Sequence, residues 1–338
     1  MAAQNNEMAA GVTQIIADEW NDGLAKATPL WDTVVKGDGR EKFDGGLYLQ
    51  VPIKLIANAT QGFIGLSGGT VGITDSVQEQ YMILNHKCFY LSTNMTLYDE
   101  TVANGEQDKI KILAKKIKGA LNDANRSMAT ATYTGTFSAA GGTQSTYPLS
   151  WDGLEDVVVA SGASYAGLTD TNYTDATAFL PYISTATVPT YTTVSDMLAV
   201  VRGRITQSEY NPERMFGLMN PATFSKFQVS VQNAQVFMER EDMYSAGGKG
   251  FRVNDVEFYL DAYCPGDGTS GSTNNYIYII PTEIFKFFYK FGFDSKSPFD
   301  TKDMRIPDQP ILSTQQFIVG NWVCTDRRLI AVTKTIAL

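Results

Sequence analysis

Leu47-Tyr48-Leu49-Gln50-Val51-Pro52-Ile53-Lys54-Leu55 is the stretch that decides how this chain is read. Its aliphatic residues fall at every second position (Leu47, Leu49, Val51, Ile53, Leu55), the period of a strand and not of a helix. A tip follows with Gly62, Gly65, Gly68, Gly69 and Gly72, where backbone freedom outweighs side chains. Tyr81, Ile83, Phe89 and Leu91 resume the alternation on the return. The expected element is an extended hairpin over residues 46–80. A two-stranded ribbon of that length cannot bury both faces by itself and is marginal alone. It needs a surface to lie on, and a neighbouring subunit is the natural one. Inter-subunit contacts are therefore expected at Leu47, Leu49, Val51 and Ile53 of the arm and at Phe63 and Ile64 of the tip.

Immediately downstream lies the clearest helix, from about Glu106 to Met128. Ile110, Leu113, Ala114, Ile117, Leu121, Ala124 and Met128 recur at three- and four-residue steps, which marks one buried face. Asn104 offers an N-cap, and Glu106 and Asp108 suit the positive end of the helix dipole. At ~1.5 Å per residue this helix is roughly 35 Å long, enough to brace a domain end to end. Lys109, Lys111, Lys115, Lys116 and Lys118 occupy its other sides. They read first as a solvated face, and second as a face turned towards enclosed DNA, with Lys111, Lys115 and Lys118 the candidates.

Outside this pair of elements the signals are shorter. Residues 1–45 read as an N-terminal arm with apolar anchors (Ile15, Ile16, Trp20, Leu24). Glycine, serine and threonine dominate from Tyr133 to Tyr147, which reads as a loop. Val194, Met197, Leu198, Val201 and Ile205 share a helical face, with Thr193 or Ser195 near its start. Asn220-Pro221 is an N-cap followed by proline at the first helical position, with Phe224, Phe227 and Val231 as the stripe behind it. Strand alternation returns over Phe251–Leu260 and Tyr276–Phe293, and two short closing strands are expected at Phe317–Cys324 and Leu329–Ile336.

The 338 residues suffice for one large core or two modest ones. A hydrophobic share of 43% with 19% charged residues describes a folded chain and not a disordered one. No apolar run approaches the ~20 residues that span a bilayer, so no membrane partner is expected. The first 25 residues hold no Lys or Arg, unlike the start of a secretory signal. Three distant cysteines (Cys88, Cys264, Cys324) fit neither a disulfide framework nor a CxxC site, which points to folding in a reducing cytoplasm. A formal net charge of −9 opposes tight nucleic-acid binding but not enclosure of nucleic acid.

Catalysis finds little support. His86 is the only histidine, which removes most acid–base and metal designs, and it reads as a strand histidine with a satisfied hydrogen bond. Gly65-Leu66-Ser67-Gly68-Gly69 matches G-x-S-x-G, with Asp75 and His86 following in hydrolase order. The nucleophile elbow, however, needs a strand turning into a helix, and Thr70-Val71-Gly72-Ile73 has no helical period. Glu239, Glu241 and Asp242 read as solvated surface. Phe285, Phe287, Tyr289 and Phe291, interleaved with Lys286 and Lys290, read as a half-buried strand before they read as a base-stacking surface. No catalytic, cofactor or metal site is expected, and the protein is not expected to be an enzyme.

The element order resembles that of the major capsid proteins of tailed bacteriophages with the Hong Kong 97-type fold. Phe216-Gly217-Leu218-Met219-Asn220-Pro221-Ala222-Thr223-Phe224 resembles that family's strand running into an Asn-Pro helix. Val319-Gly320-Asn321-Trp322-Val323-Cys324-Thr325-Asp326-Arg327-Arg328 resembles its closing strand pair. The resemblance implies an α+β fold divided into an N-terminal arm (1–45), a hairpin loop (46–80), a peripheral segment with the spine helix (81–134), an axial domain (135–275) and peripheral closing strands (276–338). It further implies homo-pentamers and homo-hexamers forming an icosahedral shell around double-stranded DNA. Virion localisation follows, with portal, scaffold or decoration proteins as partners and only weak, non-specific DNA contact. Because the arm starts almost at Met1, a scaffold is expected to be a separate protein. Lys54 is the only lysine of the hairpin arm and has no identifiable acceptor, so covalent cross-linking is not expected. A β-rich tail or surface binding module is the other reading left open by the Tyr and Trp content.

Overall fold

The computed structural model describes residues 28–31, 39–43, 46, 48–54, 79–96, 106–134, 150–159, 161, 164–169, 179–206, 214–233, 250–254, 256–266, 275–291, 300–305 and 311–336. Strand β1 (Arg40–Lys42) precedes a hairpin of β2 (Tyr48–Lys54) and β3 (Glu79–Asn85), antiparallel with Tyr48 opposite Asn85 and Lys54 opposite Glu79. The alternation in the sequence is thus a real pleat, but its apolar face turns inward. Leu49 and Ile53 of β2 and Met82 and Leu84 of β3 are buried in the subunit's own core, with Val51 packed against it. This corrects the expectation that Leu49, Val51 and Ile53 serve a neighbouring subunit: a ribbon lying on its own body spends that face at home. The opposite face exposes Tyr48, Tyr81 and Ile83. Leu47, Phe63 and Ile64 lie outside the described residues, as do Ser67 and Asp75.

Helix α1 spans Glu106–Thr134. Leu113, Ile117, Leu121, Ala124 and Met128 are buried as the spacing requires, while Lys111, Lys115 and Lys118 are exposed. The helix continues past Met128, and Ala129, Ala131 and Tyr133 are buried in it. Tyr133 is therefore not the start of a loop. The threonines that make this segment look irregular bond back to the preceding turn: Thr130, Thr132 and Thr134 donate to the carbonyls of Arg126, Met128 and Thr130. Among the described residues no helix is long and apolar enough to cross a membrane.

Two larger sheets complete the architecture. The five-stranded one is organised by β12 (Ile311–Cys324), which begins six residues before the strand expected at Phe317. One edge of β12 pairs antiparallel with β4 (Lys87–Thr96). The other edge takes β11 (Asp300–Arg305) along its first half and β10 (Phe285–Phe291) along its second, with β1 parallel to β10. Gly320 permits this crowding, since a Cβ there would sit 2.5 Å from the Phe288 carbonyl oxygen.

The six-stranded sheet has the order β5 (Tyr182–Ser184), β13 (Ala331–Ile336), β9 (Asn275–Pro281), β6 (Met215–Met219), β8 (Val256–Leu260) and β7 (Gly250–Val253). Helices α2 (Tyr191–Ile205) and α3 (Pro221–Asn233) contribute Val194, Met197, Leu198, Val201, Phe224, Phe227 and Val231 to the core on one of its faces. Thr190 caps α2 by accepting from the Thr193 amide at 3.2 Å, three residues before the expected start. Asn220 caps α3 as its sequence predicts, accepting from the Thr223 amide at 2.7 Å. The sheet's other face carries Phe216, Leu218, Tyr278, Ile280 and Val332 into the main core. Burial on both faces explains why β9 reads as a nearly unbroken apolar run.

This topology moves a boundary. β9 and β13 lie beyond the division expected at residue 275, yet both pair inside the six-stranded sheet. The chain crosses between the sheets at residues 282–284 and again at 325–330, so that sheet draws strands from both sides of 275.

Candidate assembly surface at the hairpin root

The hairpin leaves the body where β4 stops pairing with β12. Lys87 is still opposite Gly320, His86 lies between the strands, and Asn85 already belongs to β3. A chain that quits a ladder leaves backbone groups to be satisfied elsewhere. Asn321, fully buried on β12, supplies the partner: its side-chain amide donates to the Asn85 carbonyl at 3.0 Å and to the Asp152 carboxylate. Its side-chain oxygen accepts from the amides of Asp152 and Trp322, each at 2.9 Å. Asp152 is closed from its other side by Lys87, Nζ to Oδ1 2.6 Å, with both side chains largely shielded.

A tight turn holds the far side of the root. Tyr165 and Leu168 exchange backbone bonds, with Ala166 and Gly167 at φ of 52° and 82°, a conformation costly for alanine. The Ala166 carbonyl accepts from the Ile83 amide at 2.9 Å, and the Tyr165 hydroxyl accepts from the Cys324 amide at 3.0 Å. Between the turn and the hairpin lies a cavity of about 580 Å³, lined among others by Ile83, Asn85, His86, Asp152 and Asp156. Tyr90, 70% exposed, stands at its rim.

His86 does not have the satisfied hydrogen bond expected of it. Both ring nitrogens are buried without a partner, and the ring packs 5.2 Å from that of Phe43. Burial lowers its pKa, and the Lys290 charge lowers it further. Partial burial raises the pKa of the Cys88 thiol. Among the described residues no group of His, Cys, Asp and Glu is arranged to hold a metal. The phenylalanine-rich strand is core and not a stacking surface: Phe285 and Phe287 are fully buried, and Phe285 stacks on Trp322 at 4.8 Å. Lys286 pairs with Glu41 at 3.4 Å. The side chain of Phe291 lies outside the described residues.

A second polar node joins the layers. The Tyr133 hydroxyl, at the end of α1, donates to the Asp261 carboxylate at 2.7 Å. The Tyr263 amide donates at 2.9 Å, and the backbone of Leu30 gives a further bond. Burial pushes the Asp261 carboxyl up to about 6, against the pull of these three donors. Neither this node nor the Asn321–Asp152–Lys87 cluster was visible as spacing, because each joins residues more than a hundred positions apart.

Over nearly its whole length the chain matches solved structures. The capsid asymmetric unit of cyanophage A-1(L) shares 14% identity, with 90% of this chain and 93% of that one covered, at a TM-score of 0.59. The fold is the Hong Kong 97-like capsid fold. Within that capsid fold the SrpI encapsulin of Synechococcus elongatus PCC 7942 matches at 10% identity, 92% and 89% coverage and a TM-score of 0.53. The capsid of cyanophage P-SCSP1u matches at 9% identity, 88% and 86% coverage and 0.51. No protein-family model and no curated protein matches the sequence.

Proposed function

We propose that this chain is a phage major capsid protein that self-assembles through pentamers and hexamers into an icosahedral head around double-stranded DNA. The observation that carries the reading is the match along 90% of the chain to a phage capsid subunit, with both chains covered almost end to end. The role is structural and not enzymatic, in keeping with a lone histidine whose ring nitrogens are buried without a hydrogen-bond partner. The five-stranded sheet with α1 forms the peripheral domain, and the six-stranded sheet with α2 and α3 the axial one.

The hairpin contacts a second copy through its outer face. Tyr48, Tyr81 and Ile83 are about half exposed there, on a ribbon whose other face is already spent. Phe63 and Ile64 extend that contact at the tip. Lys111, Lys115 and Lys118 face the packaged DNA, and a net charge of −9 keeps free subunits from gripping it. Portal, scaffold or decoration proteins complete the head, which is assembled in the host cytoplasm. The test is deletion of Thr60–Thr74: the subunit stays folded by circular dichroism but forms no shells. Shells of normal size after that deletion refute the hairpin's role. Unassembled subunits should bind unrelated duplexes no tighter than ~10⁻⁴–10⁻⁶ M at physiological salt, and nanomolar binding to one sequence would contradict a container.

A further inference from the structure

We propose that the Asn321–Asp152–Lys87 cluster is the fulcrum that fixes the direction in which the hairpin leaves the subunit, and thereby the shell's curvature. The inference rests on the assembly reading and concerns what sets the geometry of that contact. Three observations point to it. The cluster sits at the one place where the chain passes from the β4–β12 ladder into the hairpin. It consists of side chains, not backbone ladder: Asn321 carries the Asn85 carbonyl, and Asp152 bridges Asn321 to Lys87, whose backbone is the last rung of the ladder. Beside it the root borders a cavity of about 580 Å³, with a backbone bond from the Ile83 amide to the Ala166 carbonyl at its edge.

The face of the hairpin that Leu49, Met82 and Leu84 bury holds it on the body, and at its root space on one side and a buried polar anchor on the other make an orientation-setting joint. An apolar contact would tolerate sliding, whereas a carboxylate held by an ammonium and a primary amide, on a residue whose backbone N–H donates to the oxygen of that same amide, has one satisfied arrangement. β12 enforces it twice, through Asn321 and through the Cys324 amide that holds Tyr165 at the base of the turn. The positioning residues are thus Asn321, Asp152 and Lys87, acting through the hairpin and not by touching the neighbour.

The test compares Asn321→Leu and Lys87→Met with Leu218→Ala, a core variant of the six-stranded sheet that lowers stability without touching the root. Amide hydrogen exchange is followed in full-length unassembled subunits, and shell diameters are measured by electron microscopy after assembly. The fulcrum variants are expected to exchange about tenfold faster at residues 82–87, the effect of one or two lost net hydrogen bonds, with residues 215–219 unchanged. Their shells should spread in diameter, while Leu218→Ala gives wild-type diameters. Unchanged exchange at residues 82–87 overturns the proposal, and so does a diameter spread shared by Leu218→Ala. If Asn321→Leu does not fold, Lys87→Met decides by the same two readouts. If the wild type forms no shells, the assembly reading fails and the curvature claim fails with it, while exchange still judges whether the cluster orients the hairpin.

Discussion

Replacing Asp261 by asparagine should change how stability depends on pH, and the structure sets both sign and size. The carboxyl is fully buried and pushed from 3.8 up to about 6, so its charged form is the disfavoured one in the fold. A raised folded pKa contributes stability that is fully present below the unfolded value and is lost as pH rises through the folded value. Wild-type subunits should therefore lose this contribution between about pH 4 and pH 7. A shift of about two units corresponds to roughly 3 kcal/mol. Asp261→Asn has no charge to bury. Its amide nitrogen cannot accept from Tyr133 or Tyr263, which costs about 1–2 kcal/mol at every pH. Urea unfolding of unassembled wild-type and variant subunits across that range gives the stability difference directly. The variant should be the less stable protein near pH 4, and the difference should move by roughly 3 kcal/mol in its favour near pH 7. Other raised carboxyls, such as Glu155 and Asp156, are common to both proteins and cancel. A difference that stays constant with pH would refute the burial argument.

Three further outcomes are expected. Leu113→Asp places an unpaired charge on the buried stripe of α1 and should cost roughly 3 kcal/mol, whereas Lys115→Ala on the exposed side should leave the melting temperature nearly unchanged; equal losses would show the faces to be reversed. Gly320→Ala puts a methyl 2.5 Å from the Phe288 carbonyl oxygen and 2.8 Å from the Phe287 ring and should destabilise by about 1–3 kcal/mol in chemical denaturation; a neutral effect would mean that β10 and β12 yield there at no cost. Tyr81→Asp combined with Ile83→Asp on the hairpin's exposed face should abolish shells while leaving subunit unfolding within about 0.5 kcal/mol of wild type; normal shells would move the contact elsewhere.

Local periodicity carried most of the fold. The stripe from Leu113 to Met128, the Asn220-Pro221 start and the alternation from Leu49 to Ile53 each encode an element within a short local stretch, and each stands where its pattern placed it. What the pattern could not say is which body an apolar face meets. The buried face of β2 was as compatible with a neighbour as with its own core, and only the fold of β3 and the surrounding core decides. Thr130, Thr132 and Thr134 misled because their return bonds to the helix backbone leave no trace in spacing. The division expected at residue 275 does not coincide with the sheets: β9 and β10 are neighbours in sequence, yet they pair in different sheets, which no local pattern shows. Asn321 lay inside a segment already resembling a closing strand, but its tie to Asp152 and Asn85 exists only once the chain is folded.

The central claim, that this subunit builds a closed shell, is tested most directly by electron microscopy of the purified full-length protein, with any scaffold protein it needs supplied. Closed icosahedral particles with pentameric and hexameric clusters on their surface are the predicted result. Folded subunits that stay monomeric at every concentration, with and without scaffold, and form neither rings nor shells would contradict it.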